Sequence, residues 1–215
     1  MKKIVVLGGT GFAGSRIVRE AVSREWEVVS VSRRLPNEKV PGATYAEIDV
    51  ADATDVDHVT SDADAIVVAL RASADYGSRR LVSLVPGLLA TAGKNQSRLA
   101  VVGGAGSALV TPGGPRLVDT PEFPEAYKPE ALAHADVLER LRAETTDVDW
   151  FYASPAAAFG AAAGIEPRGA YRTDGDVLVT AADGSSAISG EDFARAVVDE
   201  IDHPTHHRER FTTGF

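Results

Sequence analysis

The chain has 215 residues, 44% hydrophobic and 25% charged, with no cysteine and a formal net charge of −9. This composition suits a globular protein with a sizeable core, and it excludes disulfides, thiolate metal sites and a cysteine nucleophile. The acidic balance without a long basic run argues against nucleic-acid or membrane-surface partners, and no apolar run is long enough to span a bilayer.

The opening Met-Lys-Lys passes straight into a strand-like run without a signal-peptide pattern, so the expected location is cytoplasmic. Ile4-Val5-Val6-Leu7 is apolar and rich in β-branched residues, as in a strand buried on both faces of a parallel sheet. Glycines follow at 8, 9, 11 and 14, and Ile17, Val18 and Ala21 then share one helical stripe. Strand, glycine turn and helix form the setting of a dinucleotide-binding fingerprint. Two registers fit: Gly9-x-Gly11-x-x-Gly14 and Gly8-x-x-Gly11-x-x-Gly14. The chemistry calls for glycine at the tight turn, at the close approach to a pyrophosphate, and where the helix packs down. The helix N-terminus then offers N–H groups and partial positive charge to the phosphates.

Further along, Glu27–Ser32 reads as the second strand and Ala43–Ile48 as the third, ending at Asp49. Asp52–Thr60 is a short helical crossover and Ala63–Leu70 the fourth strand. Gly77–Lys94 reads as a helix kinked at Pro86, and Arg98–Val102 as the fifth strand. The alternation predicts an α/β fold: a Rossmann-type doubly wound parallel sheet with helices on both faces. Ser107–Pro124 is rich in Gly, Pro and Thr and reads as a functional or mobile loop. Pro124–Glu144 is a long helix with Leu132, Ala135, Leu138 and Leu141 on one face. Asp147–Ala153 is a sixth strand, closed by Ser154-Pro155. Gly169–Thr180 suggests two short strands around Asp174-Gly175, and Ala187-Ile188 an extended piece. Ser189-x-x-Asp192 is a capping-box pattern before a helix at Phe193–Ile201, and Arg208–Thr213 a last strand. With no repeat or linker, one domain over residues 1–215 is expected, with a small C-terminal elaboration. Its substrate-side elements fall at about 103–125 and 154–190.

The second strand ends Ser32-Arg33-Arg34, where a reader of the ribose 2′-hydroxyl would carry an acid. Two guanidiniums beside a hydroxyl suit a 2′-phosphate, so NADP(H) is expected over NAD(H), the alternative being two solvated arginines. Asp49-Val50 falls near the adenine, unless Asp49 merely makes a turn. Ala69-Leu70-Arg71 falls under the ribose and pyrophosphate.

Residues 8–14, Gly-Gly-Thr-Gly-Phe-Ala-Gly, resemble the fingerprint of the extended and atypical short-chain dehydrogenases/reductases. Val148–Pro155, VDWFYASP, is similar to a segment of NmrA-like NAD(P)-binding proteins. Gly169-Ala170-Tyr171-Arg172 and Ile188–Ala194 resemble two segments of a bacterial subgroup described as NADH–flavin-reductase-like and related to biliverdin reductase B. The resemblance implies a Rossmann fold with a reduced substrate region. It also implies phosphate contacts at Thr10, Gly11, Phe12 and Ala13, a 2′-phosphate contact at Arg33, and a nicotinamide near Gly103, Gly104, Ser154 and Pro155.

One departure bears on chemistry. Counting from Glu139 puts Ala131 and Ala135 where that superfamily carries its catalytic Tyr and Lys, and no tyrosine here has Lys four residues later. The remaining acid candidates are Ser107, otherwise a turn residue, and His134, otherwise a solvated helix residue. His58, His203, His206 and His207 read as surface groups, and no metal site is expected. Phe12, Tyr127, Phe151 and Phe159 could line an acceptor slot. Two readings follow. One is an NAD(P)H-dependent reductase, monomer or homodimer, acting on a flavin, quinone, enone or similar conjugated acceptor. The other is an NADP(H)-sensing regulatory protein.

Overall fold

The computed structural model describes residues 2–215. Its strands are β1 (Lys3–Leu7), β2 (Glu27–Ser32), β3 (Ala43–Glu47), β4 (Ala65–Val68), β5 (Arg98–Val102), β6 (Trp150–Ser154), β7 (Arg172–Asp174) and β8 (Glu209–Gly214). They form one sheet in the order β3-β2-β1-β4-β5-β6-β8-β7. Every pairing is parallel except that of the edge strand β7 with β8. The helices are α1 (Phe12–Ser23), α2 (Ala53–Val59), α3 (Leu81–Asn95), α4 (Lys128–Ala143) and α5 (Gly190–Asp202). This is the Rossmann-type, doubly wound α/β sheet that the strand–helix alternation predicts.

The continuous apolar strands are buried on both faces because successive side chains point to opposite sides. Val5, Leu7, Ile66, Val68, Leu99 and Val101 meet α2, α3 and α4 on one face. Ile4, Val6, Ala65, Val67, Ala100 and Phe151 meet α1 and α5 on the other. Phe151 is fully buried in that second core, so it does not line a slot. Among the described residues no helix is long and apolar enough to cross a membrane.

Several local expectations are corrected. The third helix starts at Leu81, not Gly77, because Gly77 and Ser78 take positive φ of 55° and 67° and Tyr76 and Arg79 close a bridge around them. Of the two short strands expected around Asp174-Gly175, only the first forms, and the two do not pair with each other. Strand β7 pairs with β8, while Leu109 exchanges backbone hydrogen bonds with Asp176 and Leu178 at 2.8 Å. Thus the 107–124 stretch is fixed in place: Leu117 N–H donates back to Ala108, and two 3-10 turns cover Ala105–Ser107 and Leu117–Asp119. On α4, Leu132 is 42% exposed, and the buried stripe runs through Ala131, His134, Ala135, Leu138 and Leu141 instead. His206 is not a free surface group. Its Nδ1 lies 2.7 Å from Glu200, and its ring stacks on Phe211. Burial would push the Glu200 carboxyl up, but hydrogen bonds from Thr205 and His206 outweigh it and hold the group at about 2.

Candidate functional site

Strand order reverses between β1 and β4, and a crevice at the carboxyl ends of the strands is where open α/β sheets bind ligands. The turn from β1 to α1 occupies this point. Gly8 takes φ +87°, and its N–H donates to Val31 O at 2.8 Å. Gly11 N–H donates to Gly8 O at 3.0 Å, closing the turn. A Cβ at Gly8, Gly9 or Gly14 would overlap Ala69 O, the Ser30 hydroxyl or Gly8 O respectively, so the fold itself requires these three glycines. Gly11 is different. A Cβ there would lie 3.4 Å from its nearest protein neighbour, and Gly11 is exposed in an ordinary extended conformation, φ −73° and ψ 175°.

Gly11 is also the N-cap of α1, with no side-chain cap and no acid in the first turn. The N–H groups at this helix start therefore face outward beside Thr10, Phe12 and Ala13, a cradle that fits a pyrophosphate. Arg33 and Arg34 follow β2 and are exposed. Ser32 Oγ donates to Arg34 O at 2.7 Å, fixing their turn, and the Arg33 guanidinium sits 5.7 Å from the Tyr76 ring centre. Asp49 is exposed, and its carboxylate accepts the Ala51 N–H at 3.0 Å, the turn-making alternative of the sequence reading. Val50 is buried beside it. Ala69 N–H donates to Leu7 O at 2.8 Å, which places Ala69 and Leu70 beside the glycine turn and leads to the exposed Arg71.

The other half of the edge lies over β5 and β6. A Cβ at Gly103 would collide with the Tyr152 ring, and one at Gly104 would touch the His134 Cβ at 3.4 Å and its ring at 3.6 Å. Tyr152 is fully buried and donates to His134 O at 2.9 Å, while Gly104 N–H donates to the Tyr152 oxygen at 3.3 Å. Burial drives the Tyr152 phenol above its ordinary value, so this hydroxyl is a structural donor. Ser154 Oγ is buried without a hydrogen-bond partner among the described residues, and Pro155 is buried beside it.

His134 is not a solvated helix residue: it is only 8% exposed, and its Nε2 lies 3.2 Å from Glu130 Oε1. The Ser107 hydroxyl accepts from Arg210 at 3.3 Å, and Arg210 is itself held by Asp176. Ala131 and Ala135 are both buried; Ala131 lies against Gly106, and Ala135 faces the small Ser107–Arg210 pocket. At the tested positions for Tyr and Lys the small side chains thus let α4 pack against the turn after β5.

The two C-terminal family-like segments are one structural unit. Buried Asp192 accepts the N–H groups of Arg168 and Gly169 at 2.8 and 2.9 Å, and Ser189 Oγ donates to it. Ser189 caps α5 as its pattern predicts, but Asp192 turns to the 168–169 loop instead of back to the Ser189 backbone. Tyr171 then donates to Asp199 at 2.6 Å. The Phe12 and Phe159 rings meet edge-on at 5.3 Å, whereas Tyr127 is 61% exposed. Sequence reasoning missed Glu130, Tyr152 and Arg210. Only Glu130 had a local signal, its four-residue helical spacing from His134.

A family model described as NAD(P)H-binding matches residues 8–204. The Bacillus subtilis (strain 168) protein YwnB, itself uncharacterized, is 36% identical over 98% of this chain and 97% of its own length. A Burkholderia pseudomallei structure, named as a candidate exported protein, is 35% identical with a TM-score of 0.85 over 100% of both chains. A Streptococcus pneumoniae structure, named as a candidate NADH-flavin reductase, is 31% identical with a TM-score of 0.82, covering 100% of this chain and 99% of its own.

Proposed function

Because the chain belongs to the NAD(P)H-binding family of atypical, NmrA-like short-chain dehydrogenases/reductases, we propose that it is a reductase carrying electrons from NADPH to a flat conjugated acceptor. The observation that carries this reading is a pair of facts about one edge of the sheet. Gly11 is a glycine its own fold does not require, at an uncapped helix start. Across the edge, Ala131 and Ala135 are packed against the turn after β5 and supply no acid.

In this reading Gly8, Thr10, Gly11, Phe12, Ala13 and Gly14 hold the pyrophosphate. Arg33 and Arg34 take the 2′-phosphate, Asp49 and Val50 border the adenine, and Ala69, Leu70 and Arg71 floor the ribose and pyrophosphate. Gly103, Gly104, Ser154 and Pro155 border the nicotinamide through their backbone, since Ser154 Oγ is enclosed. When bound, the nicotinamide supplies the hydride. The chain holds the acceptor in contact with it and keeps water out, a proximity effect. Ser107 and His134 assist modestly: Ser107 shares its hydroxyl with Arg210, and the His134 ring nitrogen is engaged by Glu130. A flavin, quinone or enone needs little more, because its own ring system spreads the incoming charge. The name of the S. pneumoniae relative supports a flavin among these acceptors. We further propose one domain, as monomer or homodimer, in the cytoplasm.

The test is NADPH oxidation followed at 340 nm with a panel of flavins, quinones and enones. Turnover with at least one, and preference for NADPH over NADH, is expected. Tight NADPH binding with no turnover on any acceptor would instead select the redox-sensing reading.

A further inference from the structure

Glu130 lies in the first turn of α4, where a negative charge suits the helix dipole. Its carboxylate reaches out of the helix to the turn after β4. Oε1 accepts the Ala72 N–H at 2.7 Å, and Oε2 accepts the Ser73 N–H at 3.3 Å and the Ser73 hydroxyl as well. His134, one helical turn on, places Nε2 3.2 Å from Oε1. A carboxylate offers about four lone-pair positions. Protein donors fill them all, so this group is a joint and not a reactant. Burial would push the Glu130 carboxyl up, but hydrogen bonds from His134, Ser73 and Ala72 outweigh it and hold it at about 2.

The joint has two arms. One is the Arg71–Ser73 turn, which continues the Ala69–Leu70 segment lying against the glycine turn. The other is the His134 ring. Its Nδ1 is buried and has no hydrogen-bond partner among the described residues. With Nε2–H aimed at the carboxylate, Nδ1 is a bare lone pair. The opposite tautomer would set a lone pair against the carboxylate and bury an N–H without an acceptor, two separate penalties. The ring in turn packs against Gly104, so one carboxylate joins the turn after β4 to the turn after β5.

We propose that Glu130 is a positioning residue for the nicotinamide half of the site: it locks the turn after β4 to α4 and fixes the tautomer and pose of His134. The proposal rests on the reading that NADPH lies along this edge. The adenosine half lies over β1 and β2, on the far side of the strand-order reversal; the hydrogen bonds of Glu130 stay on the β4 side, and its remaining contact is an ion pair at 3.6 Å with the exposed Arg71.

The test uses Glu130→Gln in the full chain. The carboxamide keeps the volume, and with its oxygen at the Oε1 position it still accepts from Ala72 and His134, but it loses the negative charge and turns its N–H2 against the Ser73 N–H. NADPH and adenosine 2′,5′-bisphosphate, the adenosine half alone, are titrated calorimetrically, and long-range proton–nitrogen spectra report the imidazole tautomers. His134→Ala identifies the His134 signals. We expect NADPH to bind about 10-fold more weakly, as for other orienting partners removed from a site. Adenosine 2′,5′-bisphosphate should be unaffected, and the His134 ring-nitrogen signals should shift because a neutral amide replaces the carboxylate on Nε2–H. Unchanged NADPH affinity, equal weakening of both ligands, or unchanged His134 ring signals would each overturn the proposal. A parent protein that binds no NADPH overturns the cofactor reading, and this inference with it. Should Glu130→Gln not fold, Ser73→Ala decides: about threefold weaker NADPH with the half-ligand unchanged upholds the joint, and parental NADPH binding overturns it.

Discussion

The edge over β1 and β2 and the edge over β5, β6 and α4 are built by different means. The first is a local device. Seven consecutive residues, Gly8–Gly14, make the turn, the close approach and the helix entrance, and their hydrogen bonds run to immediate neighbours or to the adjacent strand. The second is assembled from remote pieces. Ser107 meets Arg210 and Glu130 meets Ser73, at separations of 103 and 57 residues. A phosphate cradle needs only backbone N–H groups at a helix start, which a short motif can specify. An acceptor slot needs a shape, and shape comes from whatever the tertiary fold brings together.

That contrast can be broken most sharply at the glycines. Gly11→Val should abolish NADPH binding, a loss above about 100-fold, with the circular dichroism of the parent and a melting point lower by only a few degrees, since valine is a poorer N-cap than glycine. Valine is allowed at φ −73°, and its Cβ would meet no protein atom closer than 3.4 Å. Gly14→Val should instead fail to fold stably, because its Cβ would overlap Gly8 O. If both variants behave alike, the division between a ligand-required and a fold-required glycine is wrong.

A smaller effect is expected at the 2′-phosphate. Arg33→Ala should weaken NADPH by roughly 10- to 100-fold, the worth of one charge-assisted hydrogen bond, and leave NADH nearly unchanged. Equal affinity of the parent for both cofactors would remove the argument. At the start of α5, on the α1 face of the sheet, Asp192→Ala deletes the acceptor of the Arg168 and Gly169 N–H groups and of the Ser189 hydroxyl. Urea unfolding should show a loss of about 1–3 kcal/mol, with NADPH affinity retained. Loss of NADPH binding there would mean that this joint helps to hold the helix start beside Phe12.

The least effect belongs to the proton-transfer candidates. Ser107→Ala and His134→Ala should each lower turnover by less than about 10-fold, below the usual range for a general acid. A fall near 10⁴-fold in either would identify a true acid and refute the proximity account.

Legibility followed the same division. Strands β1, β2 and β5 and the fingerprint could be read directly, because a buried parallel strand is a short apolar run and a tight turn is a glycine. Ser189 was readable as a helix cap for the same local reason, and it does cap. The role of Leu132 was misread because helical spacing fixes which residues share a face, not which way that face turns; packing against the turn after β5 rotated α4 until His134 was inside and Leu132 outside.

What the sequence determined by itself was the alternation that makes a doubly wound sheet and the helix start that can hold a pyrophosphate. Both depend on backbone geometry over a few consecutive residues. Only the tertiary structure decided that Gly11 is free of the fold's own demands, that His134 is enclosed and joined to Glu130, and that Arg210 is buried against Asp176. The enclosure of His134, the reach of Glu130 to Ser73 and the burial of Arg210 against Asp176 depend on elements distant in the chain, and no local pattern specifies which donors and acceptors a folded sheet will bring together.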